Sequence, residues 1–272
     1  MLPLRDNLIA RRAPFVTVAL IAVNVFLFLM CATMPEHELQ AFLFRYGLIP
    51  AKIFRPESVA RYYLRQFGIL VPTRYDLADS LAPLFTSMFL HGGALHLAGN
   101  MWILWIFGDN VEDCLGHIGY LLFYVACGLA SGVIHALSAP FSPVVTIGAS
   151  GAIAGVMGAY LLLYPAARVM TLVWVLFYVD IWAVPAFVFL FYWFLIQVLS
   201  GAATLGGGSI LGGGVAWWAH IGGFIAGFGF ILLSGIRPEP KSLRAHERRR
   251  WYFDPRTGRY VAIRRRPDDV SE

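Results

Sequence analysis

Long apolar stretches separated by short polar, glycine-rich or proline-rich breaks run through most of the chain. No Asp, Glu, Lys or Arg occurs over 118–167 or over 181–236. A helix needs ~20 predominantly apolar residues to cross a bilayer, and uncharged runs of this length cannot be covered by a soluble surface. The pattern predicts an all-α fold: a polytopic membrane helical bundle with six transmembrane helices. The predicted spans are 14–34, 94–107 (extending towards Asp113), 119–137, 150–164, 181–199 and 215–234. The breaks between them are Gly108-Asp109-Asn110, Ala139-Pro140-Phe141-Ser142-Pro143, Tyr164-Pro165 and the glycine run 206–214. The apolar stretch 169–179 is too short to span and is expected either at the interface or as part of the approach to span five. Segment 36–80 is too polar to cross, yet too rich in Tyr, Phe and Leu for a plain linker.

Composition and charge sharpen this picture. Charged residues make up 14% of the 272 residues, against roughly 25% in soluble domains, which excludes an ordinary soluble protein. The net charge of +5 is unevenly placed. Eleven of the 21 Lys and Arg lie beyond Ser234. With six spans and both termini cytoplasmic, Arg5, Arg11, Arg12, Arg168 and that basic tail share the inner side. The outer side keeps six basic residues, all in the first loop, so the positive-inside rule favours cytoplasmic termini. The expected layout is a cytoplasmic N-terminal tail over 1–13, a membrane domain over 14–234 with an outer first loop at 35–83, and a basic cytoplasmic tail over 235–272. Such a tail on a membrane protein faces anionic lipid, and no nucleic acid is implied. Cys31, Cys114 and Cys127 sit in or beside apolar segments and read as free packing residues.

Ionisable and polar side chains inside spans are costly and therefore candidates for function. His96 and Asn100 are four residues apart in span two and share one helix face. Ser150 opens span four within Gly148-Ala149-Ser150-Gly151, and His220 lies early in span six. Spans two, four and six all start on the outer side in this topology. At 1.5 Å rise per residue, Asn100, Ser150 and His220 all fall within roughly 10 Å of the outer end. Serine acyl transfer explains the coincidence. Ser150 needs a base, and His220 can take its proton. Asn100, His96 and the Ser150 backbone N–H can donate to an oxyanion. Asp180 is expected at the inner end of span five, too far to complete a triad, so the set reads as a dyad. Gly151 and Gly155 on span four, with Gly223 and Gly227 on span six, form small-xxx-small faces that would let the two spans touch.

These residues resemble a known family. The segments His91-Gly92-Gly93-Ala94-Leu95-His96-Leu97-Ala98-Gly99-Asn100-Met101, Gly148-Ala149-Ser150-Gly151 and Ala219-His220-Ile221-Gly222-Gly223-Phe224-Ile225-Ala226-Gly227 are similar to those of the rhomboid intramembrane serine proteases, particularly the six-span bacterial type. The resemblance covers 85–233. It implies Ser150 as nucleophile, His220 as general base, and His96 and Asn100 in the oxyanion hole. It implies cleavage of transmembrane segments of membrane protein substrates near the outer face of the bilayer, and residence in a bacterial inner membrane. It also implies a cap over the site from 206–214, with span five as a lateral gate. No cofactor or metal is implied. Two features depart from some members: Ala82-Pro83 replaces a Trp-Arg pair of the first loop, and Ala154 replaces a Tyr that packs on the histidine.

Other classes compete less well. A zinc site would draw on His91, His96 and His220, but no Cys or acid nearby completes a shell. A transporter would also place polar groups in broken helices, but no repeated half is visible. A catalytically dead relative typically lacks Ser or His, and both are present. His91 is expected to serve the loop backbone. His117 and His135 read as helix-end or packing residues, Glu112 and Asp113 as stabilisers of the loop after span two, and the Trp217-Trp218 pair as an interface anchor.

Overall fold

A computed structural model describes residues 2–175, 177–205, 216–238, 249–254 and 259–264. The chain is a helical bundle, as the apolar pattern predicts. Helix α1 (Phe15–Ala32) is followed by four short helices: α2 (Glu36–Tyr46), α3 (Pro50–Phe54), α4 (Pro56–Phe67) and α5 (Leu77–Thr86). A 3₁₀ turn at Ser87–Phe89 leads to α6 (Ala94–Leu115), α7 (His117–Ser138) and α8 (Ser150–Leu163). The bundle closes with α9 (Ala186–Leu205) and α10 (Trp217–Ser234). Among the described residues, α1, α7, α9 and α10 are each long and apolar enough to cross a membrane. The α5–3₁₀ segment and α6, bent by 76° at their junction, form a fifth candidate. Helix α8 has only 14 residues.

Helix α8 is the centre of the bundle. Eleven of its residues are buried, as expected of a helix apolar on all sides. It touches α6, α7, α9 and α10. Its approach to α10 is backbone on backbone. A Cβ added at Gly155 would lie 3.2 Å from the Gly223 carbonyl oxygen, and one added at Gly223 or Gly227 would overlap the carbonyl of Gly151 or Gly155. Glycine on both helices removes the side-chain layer that otherwise holds helices 8–10 Å apart. The small-residue faces read from the sequence are therefore the contact that joins these two helices.

Three departures from the sequence reading lie at the end of the bundle opposite Ser150. First, segment 169–179 and the start of the expected fifth span form a hairpin. Strand β2 (Arg168–Val175) pairs antiparallel with β3 (Tyr178–Pro185), so α9 begins at Ala186 and not at 181. The run Val179-Asp180-Ile181-Trp182-Ala183-Val184 is rich in β-branched and aromatic residues, a strand preference within an apolar stretch. Pro185 ends the strand where its missing N–H costs little. Second, segment 1–13, read as a tail, contributes strand β1 (Leu2–Asp6) to the same sheet, in the order β1-β2-β3. Third, Asp180 lies on β3 and not within a helix.

The N-terminus is fastened by long-range polar contacts. Pro14 has no side-chain oxygen to cap α1, and Glu112 on α6 does so instead. Its carboxylate accepts from the backbone N–H of Val16 (2.9 Å) and Thr17 (2.8 Å) and from the Thr17 hydroxyl (2.7 Å). This satisfies orphan donors at a helix N-terminus, where the dipole also favours negative charge. His117 Nδ1 lies 2.6 Å from the same carboxylate. Asp113 accepts from the backbone N–H of Arg11 and Arg12. Buried Asp6 accepts from Tyr160 and Asn110 at 2.6 and 2.8 Å.

On the side of Ser150, the segment of α2 to α4 makes a small second core of Ile49, Ala51 and Val59, with Phe44, Tyr63 and Val145 against it. Leu48 and Thr146 exchange backbone hydrogen bonds of 3.0 and 2.8 Å, and the Ala51 N–H donates to the Ser142 carbonyl. This folded first loop thereby holds the 142–149 segment that delivers Ser150. Beyond the bundle, β4 (Arg249–Asp254) and β5 (Arg259–Arg264) pair with each other. The glycine run 206–214, the expected cap, lies outside the described residues.

Candidate active site

Ser150 sits at the first turn of α8, where the leading backbone N–H groups have no carbonyl partner within the helix. The turn before it depends on Gly148. Its φ of +136° is rarely open to residues with side chains, and an added Cβ would lie 2.9 Å from the His96 ring. The Gly148 N–H donates to the Ser87 carbonyl at 2.9 Å, anchoring the turn to the end of the first loop. Beside it, His135 Nε2 and the Thr146 hydroxyl lie 2.9 Å apart.

His220 approaches from α10. Its Nε2 lies 2.8 Å from Ser150 Oγ. The Ser131 hydroxyl on α7 donates to the Ala219 carbonyl at 2.8 Å, fixing the first turn of α10 one residue before the imidazole. Ser131 also fills the space that a side chain on Gly151 would need. The other imidazole nitrogen, Nδ1, lies 2.8 Å from Oε1 of Gln197 on α9. The Trp193 ring, one turn earlier on α9, lies 5.8 Å from the imidazole centroid to centroid, and Trp217 stands edge-on at 6.4 Å. Trp193 thus packs beside the histidine, while Ala154, where some family members have a Tyr, is fully buried in the core.

His96 and Asn100 line the same cavity as Ser150 and His220, a cleft of about 810 Å³ also bounded by Trp193 and Met157. Asn100 donates one amide N–H to the His96 carbonyl at 3.0 Å, which leaves a second N–H in a side chain with two. His96 is exposed to the cleft, and its ring meets that of His91 at 5.2 Å in a T-shape. His91 is buried in the bend just before the helix. Among the described residues no group of three His, Cys, Asp or Glu side chains gathers to hold a metal ion. Asp180 is part of the sheet at the other end, away from this cleft.

All four site residues read from the sequence therefore border one cavity. Sequence reasoning passed over Ser131, Trp193 and Gln197. Gln197 carried a signal: it is a polar residue within the uncharged run 181–236, on the face of α9 that also presents Trp193 four residues earlier.

A polytopic helical membrane protein with a serine–histidine pair facing a cleft at the start of a central, glycine-faced helix is the class that fold and site define. Residues 78–236, more than half of the chain, match the family model described as the Rhomboid domain. The chain belongs to the rhomboid family. It is 35% identical over 152 residues to RHOMBOID-like protein 6, mitochondrial, of Arabidopsis thaliana, covering 55% of this chain and 43% of that protein. It is 27% identical over 253 residues to RHOMBOID-like protein 1 of the same plant, covering 89% and 59%. Over 78 residues it is 44% identical to Rhomboid protease GluP of Bacillus subtilis (strain 168), covering 29% and 15%. The chain thus spans less than two thirds of the length of each of these relatives.

Proposed function

We propose that this protein is an intramembrane serine endopeptidase that cleaves transmembrane segments of membrane protein substrates near the outer face of the bilayer. The observation that carries this reading is the 2.8 Å approach of His220 Nε2 to Ser150 Oγ inside a cleft that His96 and Asn100 also line. In the reaction, His220 Nε2 takes the Ser150 proton as Oγ attacks the scissile carbonyl carbon. The carbonyl oxygen becomes an oxyanion, which the Ser150 backbone N–H, the Asn100 amide and His96 stabilise as donors. The imidazolium then returns its proton to the leaving amine. A water molecule, deprotonated by His220, hydrolyses the acyl-enzyme and frees Ser150.

Helix length supports a site below the membrane surface. Fourteen residues rise only ~21 Å, against ~30 Å for the hydrocarbon core. With its Tyr164-Pro165 end near the inner boundary, α8 starts several ångströms below the outer one. The orientation goes with this reading: six spans, both termini cytoplasmic, the first loop outside, segment 235–272 as a basic inner tail, and a bacterial inner membrane as the site of residence.

The test is labelling of the purified full chain in detergent by a fluorescent fluorophosphonate. Wild type is expected to label, and folded Ser150→Ala and His220→Ala to lose at least about 10²-fold in rate. Equal labelling of wild type and Ser150→Ala would place reactivity elsewhere and end this reading.

A further inference from the structure

The geometry points to Gln197 on α9 as a positioning residue that holds His220 in the one tautomer able to act as a base towards Ser150. The inference rests on the assignment of Ser150 and His220 given above. To accept the hydroxyl proton, Nε2 must carry a lone pair, so in the neutral ring the proton must sit on Nδ1. A proton there needs an acceptor. Gln197 supplies its amide oxygen at 2.8 Å. Which end of the amide faces the ring follows from its other contact: the Gln197 amide nitrogen donates to the Trp193 carbonyl one turn back, at 3.3 Å. The nitrogen is thereby committed to the helix and the oxygen is directed to His220.

The neighbourhood fixes this contact. Gln197 is 4% exposed, so water does not compete for Nδ1 from its side. Trp193 flanks the ring from the same face of α9. When Ser150 gives its proton to Nε2, the ring becomes a cation and its Nδ1–H bond to the amide oxygen becomes charge-assisted. A carboxylate would stabilise the cation more, but an ionised acid at this depth carries a large desolvation cost whenever the histidine is neutral. A neutral amide orients the ring without that cost, as asparagine does in Cys-His-Asn proteases. Because the acceptor comes from α9, the orientation of the base depends on how that helix packs against α10.

The test compares fluorophosphonate labelling of wild type, Gln197→Met and Gln197→Glu, with thermal melting of each in parallel. Methionine keeps length and removes the acceptor. Glutamate keeps an oxygen acceptor whether ionised or protonated. Gln197→Met should lower the maximal labelling rate about tenfold or more, with the half-saturating probe concentration unchanged. Gln197→Glu should label faster than Gln197→Met. Wild-type rates in a folded Gln197→Met, or equal losses in both variants, would overturn the inference while leaving Ser150 as the nucleophile. Absence of labelling in folded wild type would overturn the nucleophile assignment, and this inference with it. The ¹⁵N spectrum of histidine-labelled wild type, with His220→Gln for assignment, gives a reading independent of variant folding. A protonated Nδ1 and a bare Nε2 on His220 are expected, and the reverse tautomer would refute the role of Gln197.

Discussion

Gly148 shows how narrowly single positions constrain this site. Its positive φ turns the chain into α8, and its bare Cα lets the His96 ring sit directly over the turn. A methyl group there brings both backbone strain and a 2.9 Å contact with the ring. Strain of this kind costs about 1–3 kcal/mol, and relief requires either His96 or the first turn of α8 to move. Gly148→Ala is therefore expected to slow fluorophosphonate labelling more than tenfold, beyond any change in melting temperature. A rate equal to wild type would show that the His96–Gly148 approach has no bearing on the reactivity of Ser150. Ser131 works on the opposite flank: it braces the first turn of α10 by a bond to the carbonyl of Ala219, so the imidazole is held through its own backbone.

At the scale of elements, the decisive contact is α8 against α10. The glycine faces bring the two backbones together, and the Ser150–His220 distance inherits that spacing. Gly227 lies seven residues from His220, two turns along α10, and an added side chain there would overlap the Gly155 carbonyl. Gly229, on the same helix, has open space where a Cβ would stand, with no neighbour within 4 Å. Gly227→Val should force the helices apart, at a cost of about 1–3 kcal/mol or more, and abolish labelling. Gly229→Val should label at the wild-type rate. Melting curves with labelling of both variants check this, and similar behaviour of the two would deny that close packing sets the Ser150–His220 distance. Helix α9 packs differently. Phe187, Phe191 and Leu199 on it are exposed, an apolar face suited to lipid, while Trp193 and Gln197 turn inward to the histidine.

The whole molecule has two cores with different solvents. The large core lies within the bundle; the small one lies in the first loop, outside the spans. Lys52 belongs to the second. It is 4% exposed, donates to the Phe44 carbonyl, and its ammonium stands 3.8 Å from the centre of the Phe44 ring. Burial pushes its pKa down to about 8, partly opposed by Asp79. The unfolded loop therefore binds more protons than the folded loop above that pH, so stability rises as pH climbs from about 8. Tyr63 and Tyr75 act in the opposite sense. Burial raises both to about 12, with smaller contributions from Tyr62 and Tyr75 at Tyr63 and from Asp79 at Tyr75. The folded loop then holds extra protons, and stability falls above about pH 10. Chemical unfolding of the loop, followed by limited proteolysis, should show a maximum near pH 10. Lys52→Met should remove the rise between pH 8 and 10 and keep the fall above it. A rise that survives the substitution would locate the titrating group elsewhere.

The amino-acid sequence by itself determined that the chain is a helical membrane protein, because uncharged runs of this length have no other solvent. It also singled out Ser150, His220, His96 and Asn100, because polar groups at matching depths in apolar spans are too costly to be incidental. The glycine spacing on α8 and α10 was legible as a face, since the helical period turns spacing into direction. The hairpin β2–β3 was obscured because a strand and the start of a span are both apolar runs, and hydropathy does not separate them. Pairing with β1, more than 160 residues away, decides in favour of the strand. Tertiary structure alone revealed that Glu112 caps α1, that the first loop holds the turn before Ser150, and that Gln197 and Trp193 flank the histidine. Each of these joins positions far apart in the chain, and no local period or propensity encodes the partner. Spacing along the chain fixes which side chains share a helix face; only packing fixes what that face meets.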